Sequence, residues 1–312
     1  MITTLNATGP EDLLAAVPLV LGFAPEDSLV MLTFAGSHRF HARLDLPADP
    51  DSSVEREVVV SSMLEPAVRH AVTRVAFVLY TEDRRLSRRL GAALARAFGE
   101  AGIEVVDLLR AAKGRWYPAM DPPTRPSRGR PYDADRHPFR AQAIVAGQVT
   151  ADSRAALAAG VAPDDDGVAA VIPLVAGARR LAPEAVAALV RRHLEAHTTA
   201  TDEELADLLV SMRDPERRDR CWTGHGRDAA PALLDFWTDV VRRAPPDLVA
   251  DPAAVLAFAA WLAGNGALAW CALERCFTAV PGHTLGLLLA RALDQAVPPT
   301  VWDREEDPPG DT

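Results

Sequence analysis

The sequence predicts an α/β domain followed by an all-helical domain, and three observations carry that expectation. Up to about residue 110, apolar runs of strand length alternate with segments of helical period, as a hairpin and then a βαβαβ progression. From Pro183 onward strand-like runs disappear and helix starts follow one another. Between the two regions, Pro163-Asp164-Asp165-Asp166-Gly167 reads as a linker or exposed turn. The expected division is a mixed, mostly parallel sheet with flanking helices over 1–160, a linker over 161–181, a helical domain over 182–302 and a disordered acidic tail over 303–312.

Gly9-Pro10-Glu11-Asp12 opens the first helix, with proline early and acids over the first turn, where the helix dipole favours negative charge. Gly22-Phe23-Ala24-Pro25-Glu26-Asp27-Ser28 ends it and turns the chain into Leu29-Val30-Met31-Leu32, an apolar run that reads as a strand buried on both faces. Ala35-Gly36-Ser37-His38 has the length and composition of a hairpin turn. In the strand that follows, Phe40, Ala42, Leu44 and Leu46 face one way and His41, Arg43 and Asp45 the other, the pattern of a half-exposed edge. Ser52 with Glu55 resembles a capping box for a helix to about Ala71. Arg74–Tyr80 reads as a central strand. Thr81-Glu82-Asp83 starts a helix carrying Leu86, Leu90, Leu94 and Phe98 at helical period, and Ile103–Leu109 is the next strand. Pro118–Pro138, rich in proline and arginine, reads as a long surface loop. Helices are expected near Phe139–Gly147 and Asp152–Gly160, then from Pro183, from Thr201 with Glu204 as a capping box, and over Arg227–Arg243 and Pro252–Ala263.

A formal net charge of −10 argues against a general nucleic-acid binder, because phosphate contacts need a basic surface. Lys113 is the one lysine, against 32 arginines. Cys221, Cys271 and Cys276 are too few and too irregularly spaced for a disulfide framework or a thiol zinc site, which fits a reducing cytoplasm. Leu13–Phe23 lacks the basic flank of a secretory signal, and no apolar run approaches the roughly 20 residues of a membrane span. The expected compartment is the cytoplasm.

In an open α/β sheet, ligands bind outside the C-terminal ends of the parallel strands. With the first strand antiparallel to the others, its start joins that edge, which gathers Glu26, Asp27, Ser28, Asp45, Thr81, Glu82, Asp83 and Arg110. These residues suit a small polar or cationic ligand, or a divalent ion held by carboxylates. The simpler reading, which the pattern favours, is that each acid caps the helix or turn beside it, as Asp83 and Glu26 are placed to do. His193 and His197 lie four apart on a helix, a spacing that can hold a metal, but the glutamate between them is misplaced for a metalloprotease pattern. They share the face of Val186, Leu189 and Val190, which favours partly buried structural histidines; no metal site is assigned. No nucleophile elbow, phosphate loop or cofactor motif is present, so neither a reaction nor a cofactor is specified.

Gly264-Asn265-Gly266-Ala267-Leu268-Ala269, then Ala272–Cys276 and a stop at Pro281, resembles the second half of a tetratricopeptide repeat, with a glycine turn and small residues where helices cross. Trp261 and Trp270 are the candidate interaction surface there. Taken with Gly22–Ser28, Asp45-Leu46-Pro47, Tyr80-Thr81-Glu82-Asp83, Gly114-Arg115-Trp116, Pro281-Gly282-His283-Thr284-Leu285 and Val297-Pro298-Pro299, these segments resemble the actinobacterial domain of unknown function 4192 family over nearly the whole chain. That resemblance implies no activity. Family members often carry cysteines after the Arg-Trp pair, whereas Met120–Arg130 has none, which argues against a shared thiol or metal role. Two readings remain: a binding or scaffolding protein using the helical domain for a protein partner, or an enzyme or small-ligand domain acting at the acidic strand edge.

Overall fold

The structure, a computed structural model, describes residues 7–34, 40–122, 124, 127–145 and 150–304. The chain divides into two compact units, Met1–Arg154 and Ala155–Thr312. The boundary precedes the expected linker at 161–181, and residues 165–175 of that stretch are helical. The acids that suggest a turn there instead occupy the first turn of a helix, where the dipole favours them.

Unit one runs α1 (Pro10–Leu21), β1 (Ser28–Phe34), β2 (His41–Asp45), α2 (Ser53–Arg69), β3 (Arg74–Tyr80), α3 (Arg84–Glu100), β4 (Glu104–Ala112), β5 (Arg115–Pro118), β6 (Arg130–Pro131) and α4 (Pro138–Val145). The sheet order is β2-β1-β3-β4-β5-β6. β1 is antiparallel to β2 and β3, β3 is parallel to β4, and the remaining pairs are antiparallel. The turn expected at Ala35–His38 lies outside the described residues. Before the long surface loop expected over Pro118–Pro138, a tight turn at Lys113-Gly114, both at positive φ, folds β5 back on β4, and within that loop Arg130–Pro131 pairs with β5 as β6. Pro131 is tolerated in β6 because that strand is an edge.

Side-chain parity decides what each face meets. Leu29, Met31, Val75, Phe77 and Leu79 share one core with Leu86, Leu90, Leu94 and Phe98 of α3 and Met63 of α2, and Phe40, Ala42, Leu44 and Leu46 pack against it. Phe77 and Phe98 meet edge to face with ring centroids 4.9 Å apart. Val30, Ala76, Val78 and Tyr80 point to the opposite face. α1 ends on Gly22, whose φ of 79° is open to glycine at little cost and whose N–H donates to Pro18 O at 2.9 Å.

Unit two contains α5 (Arg154–Ala159, whose first residue belongs to unit one), α6 (Asp165–Val175), α7 (Pro183–Ala196), α8 (Asp202–Met212), α9 (Pro215–Asp219), α10 (Ala230–Arg243), α11 (Ala250–Leu262), α12 (Gly266–Ala279) and α13 (Thr284–Asp294), with short 3-10 turns at Pro246–Leu248 and Pro299–Arg304. α11 organises it. Every residue of α11 except Asp251 is buried, as expected of a helix apolar all round. Gly264, at φ 77°, ends the α11–α12 turn, and the Asn265 side chain caps α12 by accepting from Leu268 N at 3.0 Å. At the start of α8 the full capping box forms: Thr201 Oγ1 accepts from Glu204 N at 3.2 Å while Glu204 accepts from Thr201 N at 3.1 Å.

Candidate functional site

The register brings the start of β1 beside the ends of its neighbours: Ser28 lies opposite Asp45 on β2 and Tyr80 on β3, and Tyr80 lies opposite Ala111 on β4. This is the strand edge anticipated for a ligand. It holds an open cleft of about 520 Å³ on the face away from α2 and α3. One wall is α1, through Leu14, Ala15, Pro18 and Leu19; the floor is Tyr80, Ala111 and Ala112; the remaining wall is Tyr132, Ala134, Asp135, Arg140 and Thr150–Asp152.

That last wall is distant in sequence from α1 and is held by named bonds. Ala151 N donates to Gly22 O at 2.8 Å and Ala24 N donates to Ala151 O at 3.1 Å. His137 Nε2 meets Asp12 Oδ1 at 3.1 Å, and Trp116 Nε1 donates to Glu11 Oε1 at 3.1 Å. The Asp12 carboxyl is held below its ordinary range, first by the Thr8 backbone N–H and then by the Thr8 hydroxyl.

Of the eight residues expected at the edge, Glu26, Asp27, Thr81 and Glu82 line the cleft. The other four belong to neighbouring structure. Ser28 is buried; its hydroxyl donates to Glu26 O and accepts from Arg43 Nε at 2.8 Å. Asp45 pairs with Arg43 at 2.7 Å. Asp83 caps α3, its Oδ1 accepting from Arg85 N at 2.7 Å and Leu86 N at 3.0 Å. Arg110 lies opposite Leu79, so parity sends it to the α3 face, where its guanidinium sits 4.0 Å from the Tyr117 ring centroid and donates to Thr81 O at 3.2 Å. Burial pushes the Arg110 guanidinium below its ordinary pKa.

The cleft adds residues that sequence reasoning left aside. Tyr80 and Tyr132 bring phenols to the floor and wall, and neither hydroxyl has a hydrogen-bond partner among the described residues. Burial pushes the Tyr80 phenol well above its ordinary pKa, with the neighbouring Tyr132 adding to the rise, and burial raises Tyr132 as well. Lys113 pairs with Glu82 at 2.7 Å and Arg140 with Asp135 at 2.7 Å. Among the described residues, the Glu26, Asp27 and Asp152 carboxylates have no ion-pair partner. Five carboxylates against two cations leave the lining at a formal charge of −3. Chain alternation could have flagged Tyr80, since it shares the parity of Val78 and not of Leu79; nothing local could have flagged Tyr132 or Asp152.

No group of three or more His, Cys, Asp or Glu side chains close enough to hold a metal ion occurs among the described residues. His193 is a buried structural histidine: Nδ1 meets Thr198 Oγ1 at 2.8 Å, Nε2 meets Glu204 Oε2 at 3.1 Å, and its ring stacks on Phe236. His197 does not share that face. It ends α7 at φ 51°, exposed, because the helix terminates there in a left-handed residue. Trp261 is buried and donates to Val297 O at 2.9 Å, and Trp270 is half-buried against the core, so the two do not form an open surface. Trp261 is buried because it lies on α11, at the centre of its unit, and Trp270 packs against that core from α12.

Residues 10–300 match the model of the family described as domain of unknown function (DUF4192). The chain belongs to this family. No curated protein and no solved structure matches it. The DUF4192 match spans both the α/β unit with its cleft and all the helices from α6 to α13. No helix among the described residues of this DUF4192 chain is long and apolar enough to cross a membrane.

Proposed function

We propose that this DUF4192 protein binds a small organic ligand at the strand edge of its α/β unit, the second of the two readings the sequence leaves open. The observation that carries it is the cleft itself. Its volume of about 520 Å³ lies in the range of small-molecule sites, roughly 300–1,000 Å³, and it combines apolar walls with a few polar groups at the edge where open α/β sheets take ligands. A thermal-shift screen of metabolites against the full chain and against Ala134→Trp tests it. Ala134 stands in a loop on the cleft wall, so the indole fills the cleft without crowding the core. A ligand that stabilises the parent and not this variant is expected; if every stabilising compound acts equally on both, the cleft is not the site.

The helical unit supports a second proposal, a protein partner, resting on Leu287 and Leu288 of α13, which are 45% and 63% exposed. Retention of a co-purifying partner by Leu287→Asp/Leu288→Asp would remove that support. A cytoplasmic setting is consistent with three buried cysteines, none of them in a disulfide.

A further inference from the structure

We propose that the cleft takes a linear aliphatic amine carrying two or more ammonium groups; this rests on the cleft being a binding site. The lining is anionic: Glu82 and Asp135 are paired with Lys113 and Arg140, and the three carboxylates that remain arrive from separate segments, Glu26 and Asp27 from the turn before β1 and Asp152 before α5. A divalent ion needs six or more oxygens around one point, and no three carboxylates converge among the described residues. An anion would find both cations of the lining already engaged, Lys113 by Glu82 and Arg140 by Asp135. Dispersed carboxylates instead match dispersed ammonium groups, and the Leu14, Pro18 and Leu19 wall provides an apolar track for the methylenes between them.

Two phenols supply acceptors for N–H donors. The Tyr80 and Tyr132 oxygens lack partners among the described residues, and each can accept from an ammonium, which carries three donors and no acceptor. Raised phenol pKa values keep Tyr80 and Tyr132 neutral, so they act here as dipoles and not as charges.

Isothermal titration of the full chain with putrescine and spermidine, with 1,4-butanediol as the uncharged isostere and glutarate and Mg²⁺ as controls, tests the assignment. Spermidine should bind more tightly than putrescine, and butanediol, glutarate and Mg²⁺ should give no saturable binding in the cleft. Asp27→Asn/Asp152→Asn should weaken spermidine by about tenfold or more, the loss expected for charge-assisted hydrogen bonds. Glu57→Gln/Glu65→Gln removes the same charge from exposed positions on α2 and should change affinity less than about twofold, since exposed charges at a distance are largely screened. Equal weakening by the two pairs, or unchanged binding in Ala134→Trp, would show only general attraction to an acidic surface and overturn the proposal. If amines fail while a neutral or anionic compound binds in a way that Ala134→Trp abolishes, the amine assignment falls and the cleft remains a site. If no compound depends on Ala134, both fall.

Discussion

Asp83 separates a cap from a ligand group, because sequence position alone assigns it to either. Its Oδ1 accepts from the N–H groups of Arg85 and Leu86, two of the donors that the first turn of α3 cannot satisfy internally, and it does not line the cleft. Asp83→Ala removes both bonds, which costs about 1 kcal/mol, within a usual span of about 0.5–2. For a unit covering Met1–Arg154, that loss lowers the melting temperature by roughly 2–4 °C. Asp83→Asn keeps an oxygen in the same place and sacrifices only the charge–dipole part, about 0.3–1 kcal/mol, so it should melt between the parent and the alanine variant. Differential scanning calorimetry reads these shifts, and hydrogen exchange should show the first turn of α3 opening more readily in Asp83→Ala. Binding of any cleft ligand should survive both changes. An unshifted melting temperature in Asp83→Ala, or abolished binding in the asparagine variant, would refute the cap assignment.

Two further outcomes follow from burial. The folded Tyr80 phenol keeps its proton above the ordinary tyrosine pKa of about 10, whereas the unfolded chain releases it there; the stability contribution is complete below about pH 10 and is lost as pH rises. Denaturant midpoints at pH 8 and 10.5 should therefore fall less in Tyr80→Phe than in the parent, and equal falls would contradict the burial of that phenol. Burial also raises the Cys221 thiol and pushes Cys276 up to about 12, and Cys271 is buried. A thiol reagent at pH 8 should label essentially none of the three in the native protein and all of them in denaturant; rapid native labelling would contradict their placement.

Much of the sheet is legible in the sequence because its signals are local. The β2 alternation puts Phe40, Ala42, Leu44 and Leu46 against the core, and β2 does lie at the sheet edge. Caps are legible to the same degree, with one difference: Ser52 accepts from Glu55 N at 3.2 Å, but the Glu55 carboxylate accepts from Asp49 N instead of closing the box. What is not legible depends on pairings across long separations. Arg130-Pro131 has no strand pattern of its own and becomes β6 only because Trp116 and Arg115 lie opposite it. Likewise, four of the eight expected edge residues leave the cleft for partners that only the fold supplies: Arg110 through parity, Asp83 as the α3 cap, and Ser28 and Asp45 to Arg43. Arg110 and Ala111 are neighbours in sequence, yet one reaches Tyr117 on the α3 side and the other floors the cleft.

The two parts of the cleft differ in how firmly they are held. Its floor belongs to β3 and β4, whose side chains are buried on both faces around Val78 and Leu109, so it opens only with the sheet. Its walls are joined by few bonds: the two Ala151 backbone bonds to the opening turn, His137 with Asp12, and Trp116 with Glu11. Each contributes about 0.5–1.5 kcal/mol net, far less than the cooperative stability of a packed sheet. The same wall is also held by the packing of α4 on α1 and by the Tyr132 N–H, which donates to Gly114 O at 3.0 Å. A ligand that bridges Asp27 and Asp152 would add its own contacts across the seam between that wall and the opening turn and stabilise the folded unit, as ligand that binds only the native state must. The Gly22–Ser28 turn stands on both sides of this seam, because it starts β1 and also receives Ala151.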